Sequence, residues 1–336
     1  LPGARPPSFN FVLPCCLRPW TASWNEIKGK SVCRRAASGG HFAAAPMDAA
    51  RVWVAPDGAS IAYRHWRPSN PRGALVLLHG VGSNSTRRWE FVADTSLKGS
   101  WSLIRIDRRG QGGSVWRGAT GMREWCDDIA GVLDAEGFSR AVVGGHCLGA
   151  NIAVEFATRH PACTSGLILI EPLPRDSLIG AMRRTVRLKW LLLVLSGMAR
   201  ALNAVGIYRR RLQPLDLEKL DQKTRAAMAA GRTNSSLELY ASPLLDLATT
   251  PSGSYFRDLL AVTSELPPFS SISAPVLALL SKHSTFTDPP ATHRALETFP
   301  DGEIVELEAR HWIPTEQAAA MREAMEGWIV RRFPEP

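Results

Sequence analysis

The stretch VVGGHCLGAN, residues 142–151, begins with a β-branched apolar pair, passes through glycines around a cysteine, and ends where a helical pattern starts. β-Branched residues favour strands and glycines permit tight turns, so this stretch predicts a strand, a sharp turn and a helix. Cys147 lies at the centre of that turn. The first amides of the helix would point at its side chain, and such surroundings favour a thiolate over a thiol.

Segments of strand character and of helix character alternate on both sides of this stretch. Short apolar runs that end in loops predict buried strands, and apolar residues spaced three and four apart predict helices. Such alternation is typical of an α/β fold with a mainly parallel sheet and helices on both faces. The predicted strands are ALVLLHG (74–80), SLIRID (102–107), RAVVGG (140–145), GLILIEP (166–172), APVLALL (274–280) and EIVELE (303–308). The predicted helices flanking them span 122–137, 150–161, 291–299 and 315–330.

Two segments do not follow the alternation. Residues 1–46 are rich in Pro, Ser, Arg and Ala without periodicity, so we interpret them as a disordered leader or a non-native extension. Residues 173–268 contain helical stretches and no convincing strand. We expect them to form a helical cap over the carboxyl ends of the strands, leaving 47–172 and 269–336 as the core.

Charge and hydropathy exclude several classes of protein. The net charge is +9, but residues 1–46 hold six basic residues and Glu26 alone, so they account for +5 and the rest for +4. That excess is too small to predict nucleic-acid binding. No apolar run reaches the length of a membrane span, and no secretory signal is recognisable, so we expect a cytoplasmic protein. The sequence contains neither a CxxC motif nor a pair of histidines at metal-ligand spacing, so it does not predict a metal site.

Four short motifs follow one another along the chain. They are HGVG (79–82), DRRGQGGS (107–114), GHCLG (145–149) and ARHWIPTEQ (309–317). In this order and in these strand-end contexts, they resemble those of the α/β-hydrolases, in the esterase- and lipase-like branch with a helical cap. In having a cysteine at the centre of the third motif, the chain resembles the dienelactone hydrolases.

The resemblance implies roles for individual residues. Cys147 would be the nucleophile, and His311 would act as base and then as acid. The amides of Val81 and Leu148 would form the oxyanion hole. Asp107 and Arg109 of the second motif would shape a turn rather than react.

The acid of a catalytic triad is harder to assign. Where many α/β-hydrolases carry it, this chain has Ser284, which cannot stabilise an imidazolium by charge. We favour Glu171, which ends the strand LILIE, because some capped relatives place the acid there. Asp288, four residues beyond Ser284, is the alternative, and a site without an acid is the third.

These assignments predict a hydrolase that needs no cofactor and no metal. It would cleave a carboxylic ester, lactone or thioester of a small, hydrophobic acyl substrate through an acyl-cysteine intermediate. The alternatives are a non-catalytic ligand-binding protein on a hydrolase fold and an acyltransferase. The oligomeric state is not predictable from the sequence.

The predicted cap has an uneven charge. Residues 181–211 contain eight Lys or Arg and no Asp or Glu, interleaved with Trp190 and a run of leucines. This pattern fits an apolar pocket with a cationic rim, a lid that contacts an anionic membrane surface, or an ordinary helix with one solvated side.

Overall fold

The structure, a computed structural model, describes residues 48–231 and 242–334. The predicted leader therefore lies outside the described residues. One eight-stranded sheet has the order β1-β2-β4-β3-β5-β6-β7-β8, with β2 antiparallel to β1 and β4 and all other pairs parallel. This confirms the predicted mainly parallel α/β fold. The strands are β1 (Ala49–Val54), β2 (Ser60–Trp66), β3 (Gly73–Leu78), β4 (Trp101–Ile106), β5 (Ala141–His146), β6 (Thr164–Ile170), β7 (Val276–Ser281) and β8 (Gly302–Leu307).

Helices cover both faces of the sheet. The α-helices of the described residues are α1 (Trp89–Asp94), α2 (Met122–Ala135), α3 (Leu148–Arg159), α4 (Gly180–Arg187), α5 (Lys189–Ala204), α6 (Leu217–Ala229), α7 (Pro243–Thr249), α8 (Ser252–Val262), α9 (Pro289–Leu296), α10 (Ile313–Glu316) and α11 (Ala318–Arg332). Short 3₁₀ helices lie at Ser85–Arg88, Ser96–Gly99, Pro161–Cys163, Arg175–Ser177 and Phe269–Ser271. Within the described ranges, no helix is both long and apolar enough to cross a membrane.

The central strands form the core because both of their faces are covered. Every residue of β4, β5 and β7 is buried, which fits their mostly apolar sequences. Val76 of β3, for example, pairs with Ile104 of β4 and Val143 of β5. One apolar cluster joins the sheet to α2 and α3, and a second joins it to α1 and α11.

The segment 173–268 contains α4 to α8 and, among its described residues, no strand of the sheet. Its long basic and apolar stretch divides into α4 and α5 at Leu188. There the Leu188 amide donates to the carbonyl of Thr185, three residues earlier, instead of four residues earlier as in an α-helix. α4 ends at this point. The inner side of α5 then packs on α8.

The carboxyl ends of the parallel strands meet at one edge of the sheet. His79 follows β3, Cys147 follows β5 and Glu171 follows β6. His311 lies in the loop between β8 and α10. The topology therefore brings these four residues, far apart in sequence, to the same edge.

Candidate active site

Cys147 occupies a sharp turn between β5 and α3, with φ of 57°. The turn leaves no room for side chains at its flanking glycines. A Cβ on Gly145 would lie 2.1 Å from the carbonyl carbon of Gly149, and one on Gly149 would lie 2.5 Å from the oxygen of Leu78. The glycines therefore hold Cys147 at the tip of the turn, as the sequence predicts.

Glu171 is the other strained residue of the site. Among the described residues, Cys147 and Glu171 are the only non-glycine residues with positive φ, and that of Glu171 is 50°. The Glu171 amide continues the sheet by donating to Leu279 at 2.9 Å, after which the chain turns. Backbone strain of this kind concentrates at functional sites.

The Glu171 carboxylate accepts three hydrogen bonds. Its Oε2 lies 3.1 Å from Nδ1 of His311, and both side chains are almost fully buried. The Ser281 amide donates to Oε1 at 2.5 Å, and the Ser284 hydroxyl donates to Oε2 at 3.0 Å. Ser284, which stands where many relatives carry the acid, thus supports a carboxylate that comes from β6.

Asp288 is placed differently from Glu171. Its Oδ2 accepts the Ala291 amide at 3.0 Å, so the carboxylate caps the N-terminus of α9. The Nδ1 atom of His311 is paired with Glu171. Of the two candidate acids, only Glu171 is described in contact with the histidine ring.

Two opposing effects set the protonation of His311. Burial by itself lowers its pKa, but hydrogen bonds and charge interactions with Cys147 and Glu171 outweigh burial and raise the pKa to about 9. The imidazole is therefore protonated at neutral pH. The Phe286 ring packs edge-on against it at a centroid distance of 4.6 Å, which shields the pair from water.

Two further histidines lie close to the site and are held by backbone groups. The Nε2 atom of His146 bonds the His311 carbonyl at 2.9 Å, and burial holds the pKa of His146 well below its usual range. The Nε2 atom of His79 accepts the Arg108 amide at 3.1 Å. Burial, followed by the charge of Arg108, lowers the pKa of His79.

The loop after β3 lies against Cys147. A Cβ on Gly80 would lie 3.5 Å from the Cys147 sulfur. The Arg108 guanidinium binds the Gly80 carbonyl at 3.0 Å, and in a trans peptide the Val81 amide points the opposite way. Within the described residues, the amides of Val81 and Leu148 donate to no protein acceptor.

Sequence reasoning missed the residues that hold this loop. Arg108 forms two bonds with Asp258 of α8, at 3.1 and 3.0 Å, and Gln111 donates to the same carboxylate at 2.7 Å. The second motif does shape a turn, in which Asp107 accepts backbone amides. The sequence does show an arginine, Arg108, at a strand end. Its partner Asp258 lies 150 residues away, so the pair could not be recognised from local sequence.

Cys147 is 9% exposed, and neither of two cavities in the structure is lined by it. One of about 380 Å³ begins at Gly82 and extends between the second motif and residues 212–215. Another of about 660 Å³ lies at the opposite edge of the sheet, beside Gly73 and Ala141, where the strands begin. Within residues 48–231 and 242–334, no group of three or more His, Cys, Asp or Glu could hold a metal ion.

The mainly parallel sheet, with a strained turn after β5 and a Glu–His pair at the strand ends, places the chain in the α/β-hydrolase class. Within that class, the chain belongs to the serine aminopeptidase (S33) family. The model of that family matches residues 69–317, from just before β3 to just before α11.

Individual proteins are similar to parts of this chain. Epoxide hydrolase B from Mycobacterium tuberculosis is 35% identical over 105 residues, which cover 30% of this chain and 29% of that protein. The bifunctional esterase/perhydrolase DCH from Acinetobacter calcoaceticus is 31% identical over 107 residues, 31% of this chain and 38% of that protein. The match thus spans about a third of each relative's length. A thermophilic esterase from Thermogutta terrifontis shares the fold, with a TM-score of 0.61 and 19% identity over 85% of this chain and 98% of that one.

Proposed function

We propose that this enzyme hydrolyses carboxylic ester, lactone or thioester bonds through an acyl-cysteine intermediate. The observation that carries the proposal is the buried Glu171–His311 pair at 3.1 Å, beside a cysteine held at a strained turn. A carboxylate on one side of the imidazole and a nucleophile on the other is the arrangement that nucleophilic acyl transfer needs.

Acylation begins from a thiolate and a protonated histidine. The Cys147 thiolate attacks the substrate carbonyl carbon, and the carbonyl oxygen becomes an oxyanion bound by the amides of Val81 and Leu148. As the tetrahedral species collapses, the bond to the leaving oxygen or sulfur breaks. The His311 imidazolium gives its proton to the departing group, so an alcohol or thiol leaves and a thioester remains on Cys147.

Deacylation reverses these roles with water. The neutral His311 imidazole removes a proton from water, which attacks the thioester carbonyl. The intermediate expels the Cys147 thiolate and releases the carboxylic acid, and the histidine is again protonated. Glu171 stabilises the imidazolium and fixes the ring so that Nε2 faces the reacting atoms.

Cys147 and two of the similar proteins favour esters as substrates. A cysteine at the turn after β5 is a feature shared with dienelactone hydrolases. Lactones and enol esters are therefore the first substrates to test. Two of the similar proteins are described as esterases. The family description also names an aminopeptidase, so an aminoacyl anilide belongs in the same panel.

The experiment is a panel of p-nitrophenyl esters, lactones, acyl thioesters and an aminoacyl anilide, with intact-protein mass spectrometry. We expect an acyl adduct on Cys147 and no turnover by Cys147→Ala. Transfer of the acyl group to an added alcohol instead of water would identify an acyltransferase. Turnover by Cys147→Ala equal to that of the parent would refute the acyl-cysteine mechanism.

Iodoacetamide separates the enzyme from a non-catalytic binding protein. Cys126 is an internal control, because burial raises the pKa of its thiol well above the usual range. We expect Cys147 to be alkylated at neutral pH much faster than Cys126. Equal, slow labelling of both thiols would favour a binding protein on a hydrolase fold.

A further inference from the structure

The outward side of α5 is apolar. Of the ten exposed residues in this helix, only Lys189 and Arg200 are charged. The other eight define what we call the outer face of α5: Trp190, Leu193, Val194, Gly197, Met198, Ala201, Leu202 and Ala204. Trp190 is 65% exposed, Val194 57% and Met198 52%, although a solvated helix normally presents polar residues there.

Exposed basic residues precede and follow this face along the chain. All eight Lys and Arg residues between 181 and 211 are exposed, and the same segment has no carboxylate. None of the eight forms a salt bridge with a carboxylate in the part of the chain that the structure describes. They are Arg183, Arg184, Arg187, Lys189, Arg200, Arg209, Arg210 and Arg211.

We propose that the outer face of α5 docks on an anionic lipid bilayer. Apolar side chains around an exposed tryptophan would enter the boundary between headgroups and acyl chains, and the flanking cations would bind lipid phosphates and carboxylates. The charge pattern selects a lipid surface over a second copy of this chain, because two copies would bring eight cations against eight. α5 lies on the bilayer in this arrangement, since it is too short and too polar at its ends to cross one.

Docking does not require α5 to leave the protein. Its inner side, with Leu192 and Ser196 buried, stays packed on α8 while the outer face meets lipid. Substitutions on the outer face should therefore leave the fold and the hydrolysis of a water-soluble ester unchanged. Membrane binding is then measurable independently of catalysis.

The first test is sedimentation of the full chain with phosphatidylcholine vesicles, with and without phosphatidylserine. We expect binding to the vesicles that contain phosphatidylserine, weakened by salt. Val194→Asp should weaken that binding about tenfold, because a carboxylate would enter the apolar boundary and repel the anionic lipid. Val330→Asp is the matched control, since Val330 is also on a helix and is 60% exposed, and it should bind like the parent.

The second test removes charge. We expect a triple Arg→Gln variant of the cap to lose binding by about tenfold or more, since each cation near the surface contributes to adsorption. The variant replaces Arg183, Arg184 and Arg187. A control with the same loss of charge on other exposed surfaces replaces Arg123, Lys223 and Arg294.

Three results would overturn the proposal. The first is absence of parent binding to vesicles with phosphatidylserine. The second is equal binding by Val194→Asp and Val330→Asp. The third is a parent dimer that Val194→Asp converts to a monomer without any vesicle binding, which would make the face an interface between two copies.

Discussion

Cys147 and Glu171 share a left-handed backbone conformation although neither is glycine. In both cases the turn lifts a side chain out of a strand end, toward His311. In the proposed mechanism the two residues act differently on the ring: Cys147 attacks the substrate, and the carboxylate orients the imidazole. Ser281 and Ser284 hold the carboxylate in that position.

A cysteine nucleophile should depend weakly on its acid. A thiol is already acidic, whereas a serine hydroxyl needs a fully oriented base. We expect Glu171→Gln to lower kcat/KM by about tenfold in the parent but by about 10³-fold or more in a Cys147→Ser background. Rates for one activated ester across the four proteins give the comparison. An equal loss in both backgrounds would contradict the thiolate–imidazolium pair.

The pH dependence follows from His311. Its raised pKa means that the imidazolium persists through neutral pH and is lost as pH rises through about 9. In the proposed mechanism acylation needs that proton, so kcat/KM should fall as pH rises through this range. Glu171→Gln removes one of the groups that raise the pKa, so the fall should move to lower pH. Asp288→Asn should not change the pH at which kcat/KM falls. A shift of that pH in Asp288→Asn would instead favour Asp288 as the acid.

At the level of elements, the turn between β5 and α3 depends on missing side chains. Gly145→Ala would place a Cβ 2.1 Å from backbone, which must move, and we expect a loss of about 1–3 kcal/mol in the free energy of unfolding. Gly197→Ala is the control, because nothing lies within 4 Å of its added Cβ on α5.

That control should stabilise the protein by about 0.5–1 kcal/mol, since alanine favours a helix over glycine. Urea unfolding of the three proteins measures both effects. Similar changes in the free energy of unfolding of the two variants would mean that packing at the turn does not exclude a side chain at residue 145.

At the scale of the whole molecule, a buried ion pair joins the loop after β3 to the helical segment 173–268. Arg108 binds the carbonyls of His79 and Gly80 on one side and Asp258 of α8 on the other. The helical segment therefore helps to fix the loop that lies against Cys147. A second buried pair, Arg109 with Asp128, is similar but bonds neither carbonyl of that loop.

These two pairs allow a matched test. Asp258→Asn leaves the buried Arg108 without its carboxylate and should cost about 3 kcal/mol or more in stability. Asp128→Asn removes one of two carboxylates from Arg109, which keeps its pair with Asp57, so it should cost less. Only Asp258→Asn should also lower kcat, by about tenfold, because the Val81 amide then loses its fixed direction. Both are assayed at a temperature where both are folded. Equal kcat values would show that the Arg108 pair serves stability alone.

Local sequence accounts for the elements and for part of the site. Apolar runs, glycines around Cys147 and the loop that carries His311 are short-range features, so the sheet and the positions of both residues were predictable. The division of residues 181–211 into two helices at Leu188 was not predictable. It coincides with a hydrogen bond from the Leu188 amide to the carbonyl three residues earlier.

The sequence by itself determined the parallel sheet, the strained turn at Cys147 and the strand-end position of two candidate carboxylates. Only the tertiary structure decided which of them contacts His311. Glu171 is 140 residues from His311 and meets it because β6 and the β8 loop end at the same edge, while Asp288 is held by α9. The same holds for Arg108 and Asp258, since local sequence gives each residue's place on its element but not which distant elements pack together.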